Sequence, residues 1–413
     1  MKILHIADTH LNDANLKDIE SCTEEVVQVA HAEKPDLIVH CGDLFDSRMV
    51  RMDSDAGRYA INWMGRLADI APVTYCLGTP SHDGRAPEIL ENIYAYHAIW
   101  VSTHPEQVHV CKQEVGRLAL GRCPDPVAIV SVLPAPTKQF WQSESGIEQT
   151  DAEISNAIGQ ILSGFGAGVA PYDVPHILLG HWSVRGAAIS DTQTMVGREI
   201  EIARDHIALA TPDLVCLGHI HKAQQIGGKI FYSGSGHRAN FGEMEEKGFW
   251  IHNVDRHSLS STWHPVPSRK LVKEDLDLTD GKLTPQTSPE AWGIDTSAWD
   301  ETTHVQLSIK VWQDEADMLD RDAIKAFFAP ALMDPKTPTL DLRITRVPRE
   351  TVRSANILTL KTLPDKIKEL AALRKEEVNG GILAKATDLE SAAPEQLMEA
   401  ARVKASHGHA ASG

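Results

Sequence analysis

Eight apolar runs punctuate the first 254 residues, at 3–7, 37–41, 73–77, 128–132, 176–179, 214–217, 229–232 and 249–254. Short runs of this kind read as buried strands. Helical patterns separate several of them. Leu16, Ile19, Val26, Val27 and Ala30 share one helix face, Tyr59, Trp63, Met64 and Leu67 a second, and Ile154, Ile158 and Leu162 a third. Strands alternating with helices predict an α/β core.

The pattern changes after residue 262. Residues 263–303 are rich in Asp, Thr, Ser and Pro with little periodicity, which predicts a linker and irregular structure. An alternating run at 304–311, an apolar helical segment with Met318, Leu319, Ile324, Phe327 and Phe328, and a second alternating run at 340–347 predict a small β-α-β module. From residue 362 the pattern is helical. Pro364 suits a first helical turn, with Ile367, Leu370 and Leu373 on one face. Gly380-Gly381 interrupts this helix, and a second is expected near Pro394, with Leu397, Met398 and Ala401 as its face. These helices could dock on another protein or on the body of this one. The boundaries are 1–262 for the core, 263–350 for linker and module, 351–405 for the helical segment and 406–413 for a disordered tail, in which His407 and His409 read as solvated.

Composition narrows the class. At 413 residues two or three domains are expected, and a 42% apolar share is enough for a normal core. No stretch approaches the roughly 20 apolar residues of a membrane helix. Asp8 and His10 interrupt the only early apolar run, so no signal peptide is expected and the protein reads as cytoplasmic. The six cysteines form no CxxC pair, which predicts reduced, structural thiols and no disulfide framework. A formal charge of −17 argues against a wholly basic nucleic-acid binder. It leaves DNA open as a substrate, because bound divalent ions add local positive charge that this count omits.

Five motifs carry the chemistry. They are Asp8-Thr9-His10, Gly42-Asp43, Ser81-His82-Asp83, Gly180-His181 and Gly218-His219-Ile220-His221. Open α/β sheets collect ligands at the carboxyl ends of their strands. Carboxylates and imidazoles, without thiolates, suit divalent ions such as Mn²⁺. Glycines before Asp43, His181 and His219 let the backbone approach closely. Asp43, at a strand end, is placed to bridge two ions about 3.5–4 Å apart, an arrangement that stabilises attacking and leaving oxygens in phosphoryl transfer. His5 and His40, within strand runs, read as core groups, and Trp182 as a packing residue. His237, after a glycine-rich turn, could meet phosphate or serve the fold.

In this order the motifs resemble the calcineurin-like metallophosphoesterase superfamily. The finer resemblance is to SbcD-type DNA repair nucleases. It rests on Leu133-Pro134-Ala135-Pro136-Thr137-Lys138, Gly197-Arg198-Glu199, Phe231-Tyr232-Ser233-Gly234-Ser235, Asn240-Phe241-Gly242-Glu243 and Lys247-Gly248-Phe249. It covers residues 1–255 and implies a four-layer α/β sandwich, with the β-α-β module as a capping domain. It implies one ion on Asp8, His10, Asp43 and His221, and a second on Asp43, His181, His219 and Ser81. His82 would stand beside the scissile phosphate to stabilise charge or protonate the leaving oxygen. The resemblance also implies two ions, most suitably Mn²⁺, a DNA substrate, an SMC-like ATPase partner (SbcC) on the C-terminal helices, and a homodimer. The stripes at 16–30 and 59–67 are its candidate contacts.

Two positions depart from the family pattern. Ser81 replaces an asparagine ligand within Gly78-Thr79-Pro80-Ser81-His82-Asp83, and Asp46 stands where some branches carry histidine. A hydroxyl is a poorer donor than an amide carbonyl, so weaker binding of the second ion is expected. Two other functions fit the same residues: a phosphoesterase for small or other phosphoesters, and a DNA-end-binding scaffold with a weakened metal site.

Overall fold

The computed structural model describes residues 1–113, 117–136, 151–190, 200–279, 292–300, 303–332, 340–349 and 357–393. The chain divides into two compact units. The first holds the described residues of Met1–Asp275, Trp292–Ser308 and Asp322–Arg343. The second holds those of Leu276–Ala291, Ile309–Arg321 and Ile344–Gly413.

Two sheets form the centre of the first unit. One contains β1 (Lys2–Ile6), β2 (Leu37–His40), β3 (Val73–Cys76), β4 (Ile99–Ser102), β14 (Gly248–Val254) and β15 (Leu259–Pro265), in the order β15-β14-β1-β2-β3-β4. The other contains β5 (Glu106–Lys112), β6 (Leu118–Gly121), β7 (Pro126–Leu133), β8 (His176–His181), β11 (Leu214–Gly218), β12 (Gln224–Ile226) and β13 (Ile230–Tyr232), in the order β12-β13-β11-β8-β7-β5-β6. A short parallel pair, β9 (Ser183–Val184) and β10 (Glu201–Ile202), accompanies them. β1 to β4 run parallel, as do β7, β8, β11 and β13. The carboxyl ends of β1, β2 and β3 therefore share one edge of the first sheet, and those of β8 and β11 share one edge of the second.

Alternation explains the layering. Ile3, Leu37, Val39 and Cys41 point between the sheets, where they meet Val130, Ile177, Leu179, Leu214 and Cys216. Their neighbours Leu4 and Ile38 point outward, onto α1 (Leu16–Glu33) and α2 (Asp55–Ile70). Leu178, Val215 and Leu217 point outward from the second sheet, onto α3 (Asp151–Val169) and α4 (Arg204–Leu209). Both faces of these strands are apolar because both are covered. The result is the four-layer α/β sandwich expected from the sequence. All eight apolar runs are strands.

Several expectations need correction. The stripes on α1 and α2 are buried in this chain's own core: Ile19, Val27, Trp63 and Leu67 are at most 1% exposed. They are not available to a second copy. Trp63 also donates through Nε1 to the Thr23 carbonyl at 3.2 Å. Cys111 and Cys123 form a disulfide, where reduced thiols were expected. The β5–β6 hairpin and the return into β7 bring their Cα atoms to 6.1 Å, a closeness that a sequence separation of 12 conceals. Cys22, Cys41, Cys76 and Cys216 are free and buried, as expected.

The stretch after residue 262 is less irregular than its composition suggests. β15 runs through residue 262, and β16 (Lys270–Asp277) follows it. With β17 (Thr303–Trp312) and β18 (Leu340–Val347), β16 forms a three-stranded sheet with β17 in the centre. Helix α5 (Arg321–Leu332) lies between the last two strands in sequence, giving the predicted β-α-β order. Within the first unit Phe328 packs against Trp292 and Trp299.

In the second unit α6 (Leu363–Arg374) is capped by Thr362, whose hydroxyl accepts from Asp365 N, and Pro364 lies in its first turn. Gly380-Gly381 does not interrupt this helix, which already ends at Arg374 with Lys375 as its left-handed C-cap, but begins the next one. α7 (Gly380–Ser391) starts there because Asn379 caps it, accepting from Gly381 N at 2.9 Å. Leu363 N donates to Glu390 at 2.9 Å, tying the start of α6 to the end of α7. Pro394 and the helix expected after it, the tail, Thr137-Lys138 and Gly197-Arg198-Glu199 lie outside the described residues.

Candidate metal centre

Every motif sits where a parallel strand ends. Asp8 to His10 follow β1, Asp43 follows β2, Gly78 to Asp83 follow β3, His181 closes β8, and His219 to His221 follow β11. The two sheets thus present their ligands toward one another. Backbone hydrogen bonds fix the loops: Asp8 N donates to Gly42 O at 2.9 Å, and His10 N to Asp43 O at 3.1 Å. Asp8, His10, Asp43 and His219 all have positive φ, at 50°, 48°, 53° and 85°. Non-glycine residues are strained there, and such strain clusters at functional sites. Gly42 is obligatory in this crowd. It has φ 88°, and a Cβ would stand 2.5 Å from His181 Nδ1 and 2.7 Å from Gly78 Cα.

A rim group, His10–Asp46–His82, adjoins two buried donor groups, Asp8–His10–His221 and Asp8–Asp43–His181. Asp8 is common to both buried groups. His181 Nδ1 donates to the Cys41 carbonyl at 2.6 Å, which leaves Nε2 facing Asp43 Oδ2 at 3.1 Å and Asp8 Oδ1 at 4.0 Å. His221 Nδ1 donates to Glu243 Oε1 at 3.0 Å, which turns its Nε2 toward His10 Nε2, 3.0 Å away. His10 Nδ1 and His181 Nε2 are buried and make no aligned hydrogen bond. His219 N donates to both Asp8 oxygens, at 2.9 and 3.0 Å, and its ring centroid lies 5.3 Å from that of His181.

The electrostatics favour a bound cation. Burial alone would lower the His181 pKa, but the carboxylates of Asp43 and Asp8 outweigh it and raise it to about 10. Asp43 is held well below the usual carboxylate range, its burial outweighed by His181. Burial raises Asp8. Burial lowers His10, with His221 adding to the effect. Two buried carboxylates beside converging imidazole nitrogens need positive charge. Without a metal a proton on His181 supplies it. The donor set of carboxylate oxygens and imidazole nitrogens suits divalent ions.

The loop after β3 differs in detail from expectation. Ser81 is exposed, and its hydroxyl donates to Thr79 Oγ1 at 3.4 Å. Thr79 is the residue against Asp43: its N donates to Asp43 Oδ1 at 2.6 Å, and its hydroxyl lies 3.1 and 3.2 Å from the two oxygens. The chain turns after Thr79, with His82 N and Asp83 N both donating back to Thr79 O, and this turn lifts Ser81 outward. Asp83 is fully buried. It accepts from Asp43 N, Leu44 N, Gly78 N and Tyr75 Oη, and so ties the β2 and β3 loops together. Burial and the neighbouring Asp43 charge raise it to about 6.

His82 stands at the half-buried rim. Its Nδ1 lies 2.7 Å from the Asp46 carbonyl, and its ring makes an edge contact with His10 at 4.7 Å. Asp46 Oδ1 lies 3.7 Å from His10 Nδ1. The remaining polar residues serve the fold. His40 contacts Thr9 Oγ1 at 2.9 Å and His5 the Leu217 carbonyl at 3.2 Å. Trp182 donates to Leu133 O at 3.1 Å, a packing role. His237 is buried against Asn15 at 3.1 Å.

Thr79, Asp83, Glu243 and Lys247 are site residues that motif spacing did not assign. Glu243 and Lys247 lie 22 and 26 residues beyond His221, and only the family-like segments containing them marked them.

The family described as calcineurin-like phosphoesterase matches residues 1–223, in agreement with this geometry. The SbcD component of the SbcCD nuclease from Staphylococcus epidermidis is 27% identical over 299 residues, covering 68% of this chain and 74% of that protein. Its counterpart from Staphylococcus saprophyticus, also named as the SbcD component of the SbcCD nuclease, is 25% identical over 290 residues, covering 66% and 70%. Among solved structures, GAP50, the anchor in the inner membrane complex of Plasmodium, matches at 13% identity and a TM-score of 0.40, covering 64% of this chain and 84% of that one. A dimetal phosphatase from Danio rerio matches at 13% identity and 0.39, covering 64% and 96%.

Proposed function

We propose that this chain, which belongs to the calcineurin-like phosphoesterase family, is the nuclease component of a DNA-processing complex. It hydrolyses DNA phosphodiester bonds, as exonuclease and endonuclease in double-strand break repair and recombination, in the cytoplasm. The observation that carries this is the convergence of Asp8, His10, Asp43, His181 and His221 from strand ends of both sheets. The names of the two staphylococcal relatives support DNA as the substrate and an SbcC-type ATPase as the partner.

Asp8, His10, Asp43 and His221 hold one ion. Asp43, His181 and His219 hold the second, with the Thr79 hydroxyl beside Asp43 and Ser81 behind it. Two Mn²⁺ ions, when bound, would activate water and neutralise charge on the phosphoryl oxygens. Asp43 would be shared between the ions, a reading supported by its attraction to both His181 and His10, with Asp8, common to both buried donor groups, beside it. His82 is placed at the open rim to give a proton to the leaving oxygen, its Nδ1–H engaged by the Asp46 carbonyl. Contacts limited to backbone phosphate carry no base information, so cleavage with little sequence preference follows.

Residues 263–350 supply the capping module and 351–405 the ATPase-docking segment. Leu363, Leu373, Ile382 and Leu389 on α6 and α7 are 38–53% exposed, which supports a partner for these helices. A homodimer would use exposed residues such as Ile89, Tyr94 and Tyr96 instead of the buried stripes. Among the described residues no helix is long and apolar enough to cross a membrane.

The test is digestion of end-labelled linear duplex DNA with Mn²⁺, beside H82A. Metal-dependent cutting that H82A loses is the expected result. Hydrolysis of a small phosphodiester without DNA cutting would overturn the nuclease reading in favour of another phosphoester. DNA-end binding with neither activity would favour the scaffold.

A further inference from the structure

We propose that Glu243, locked by Lys247, is a positioning residue of the metal centre that makes the ion at Asp8, His10 and His221 the tighter of the two. This rests on the metal-centre reading above. The two ligand histidines are oriented by different chemistry. His181 gives its Nδ1–H to a backbone carbonyl, that of Cys41. His221 gives its Nδ1–H to a carboxylate, Glu243 Oε1. A carboxylate partner makes an imidazole a stronger donor at its other nitrogen, besides fixing its tautomer.

The support around Glu243 is built for that task. Its side chain is fully buried. Oε1 also accepts from Asn240 Nδ2 at 2.9 Å, and Oε2 accepts from Ser235 Oγ at 3.0 Å and Lys247 Nζ at 2.7 Å. Lys247, 1% exposed, also reaches Glu245 at 2.9 Å and the His221 carbonyl at 3.2 Å. The lysine therefore grips both the carboxylate that turns the ring and the backbone that carries it. A buried ion pair serving only the fold would have no need to touch the ligand twice.

The experiment is a calorimetric Mn²⁺ titration of the full chain, wild type against E243Q and E243L/K247M. The double variant removes both charges, so neither is left buried alone. Two affinity classes are expected in wild type. In E243L/K247M the tighter class should weaken about 10–100-fold while the other holds. E243Q, which keeps an oxygen for the Nδ1–H but loses the charge and the acceptor that Ser235 and Lys247 use, should weaken the same class as well. Two wild-type classes that E243L/K247M leaves unchanged would overturn the positioning role alone. A wild-type chain that binds no Mn²⁺ would overturn the metal reading and this proposal with it.

Discussion

The Nε2 atoms of His10 and His221 face each other at 3.0 Å inside the protein. The opposite nitrogen of His221 is committed as a donor to Glu243. One of the two nitrogens must carry the proton between them, and the Glu243 and Asp8 carboxylates favour it on His221, raising its pKa against the effect of burial. Burial disfavours a charged His10. A metal ion bound by both nitrogens would replace this contact, so Mn²⁺ should stabilise the fold. At a concentration about 100-fold above the dissociation constant the gain is about 2.7 kcal/mol per ion. Thermal denaturation with and without Mn²⁺ measures it. A melting temperature that ignores Mn²⁺, or rises equally in H10A, would contradict the placement.

His82 is expected to act in the reaction without holding the metal. H82A should lower kcat by about 10²–10⁴-fold, as loss of a general acid does. Its Mn²⁺ affinity should match wild type, because His82 belongs only to the rim group with His10 and Asp46 and to neither buried group built on Asp8. Activity assays and metal titration on the same preparation separate the two effects. Equal loss of both would make His82 a ligand.

Thr79 and Ser81 exchange the importance that motif spacing assigned them. T79V removes the hydroxyl that lies within 3.2 Å of both Asp43 oxygens, and it should weaken metal binding or raise the Mn²⁺ needed for hydrolysis. S81A removes a hydroxyl that reaches only Thr79, and its effect should be smaller. The Mn²⁺ dependence of hydrolysis ranks the pair. A larger defect in S81A would restore the expectation from the motif.

Stability should fall with acid before the carboxylates titrate. Burial lowers His5, His40 and His237 to about 3 and His176 to about 4. Unfolded histidine titrates near 6.5, so between that value and the folded ones the unfolded chain binds more protons. These groups keep their full contribution above pH ~6.5 and lose it as pH drops, by about 1.4 kcal/mol per pH unit for each proton. Urea unfolding of the metal-free protein at pH 7 and pH 5 checks the slope. A flat profile would mean that these imidazoles are not buried neutral.

Much of this was legible in the sequence because it depends on strict periodicities. Ile3, Leu37 and Val39 face the second sheet while Leu4 and Ile38 face the helices, and a strand covered on both sides reads as a short apolar run. The strands β4 and β5 escaped because each mixes polar with apolar residues, and β6 because it is only four residues long and half-buried throughout. The convergence of Asp8, His10, Asp43, His181 and His221 was legible because polar residues at strand ends have little else to do there. Thr79 and Ser81 were not separable, since both lie in one loop and only the turn after Thr79 decides which faces Asp43. Glu243 was invisible as a partner of His221 because a sequence separation of 22 hides a contact made in space. The Cys111–Cys123 bond was hidden for the same reason.

Counting bound Mn²⁺ per chain at saturation, in wild type and D43N, bears most directly on the central claim. Two ions in wild type and fewer than one in D43N are predicted, since the proposed centre shares Asp43 between them. One ion or none in wild type, or two in D43N, would contradict a two-metal centre built on this carboxylate.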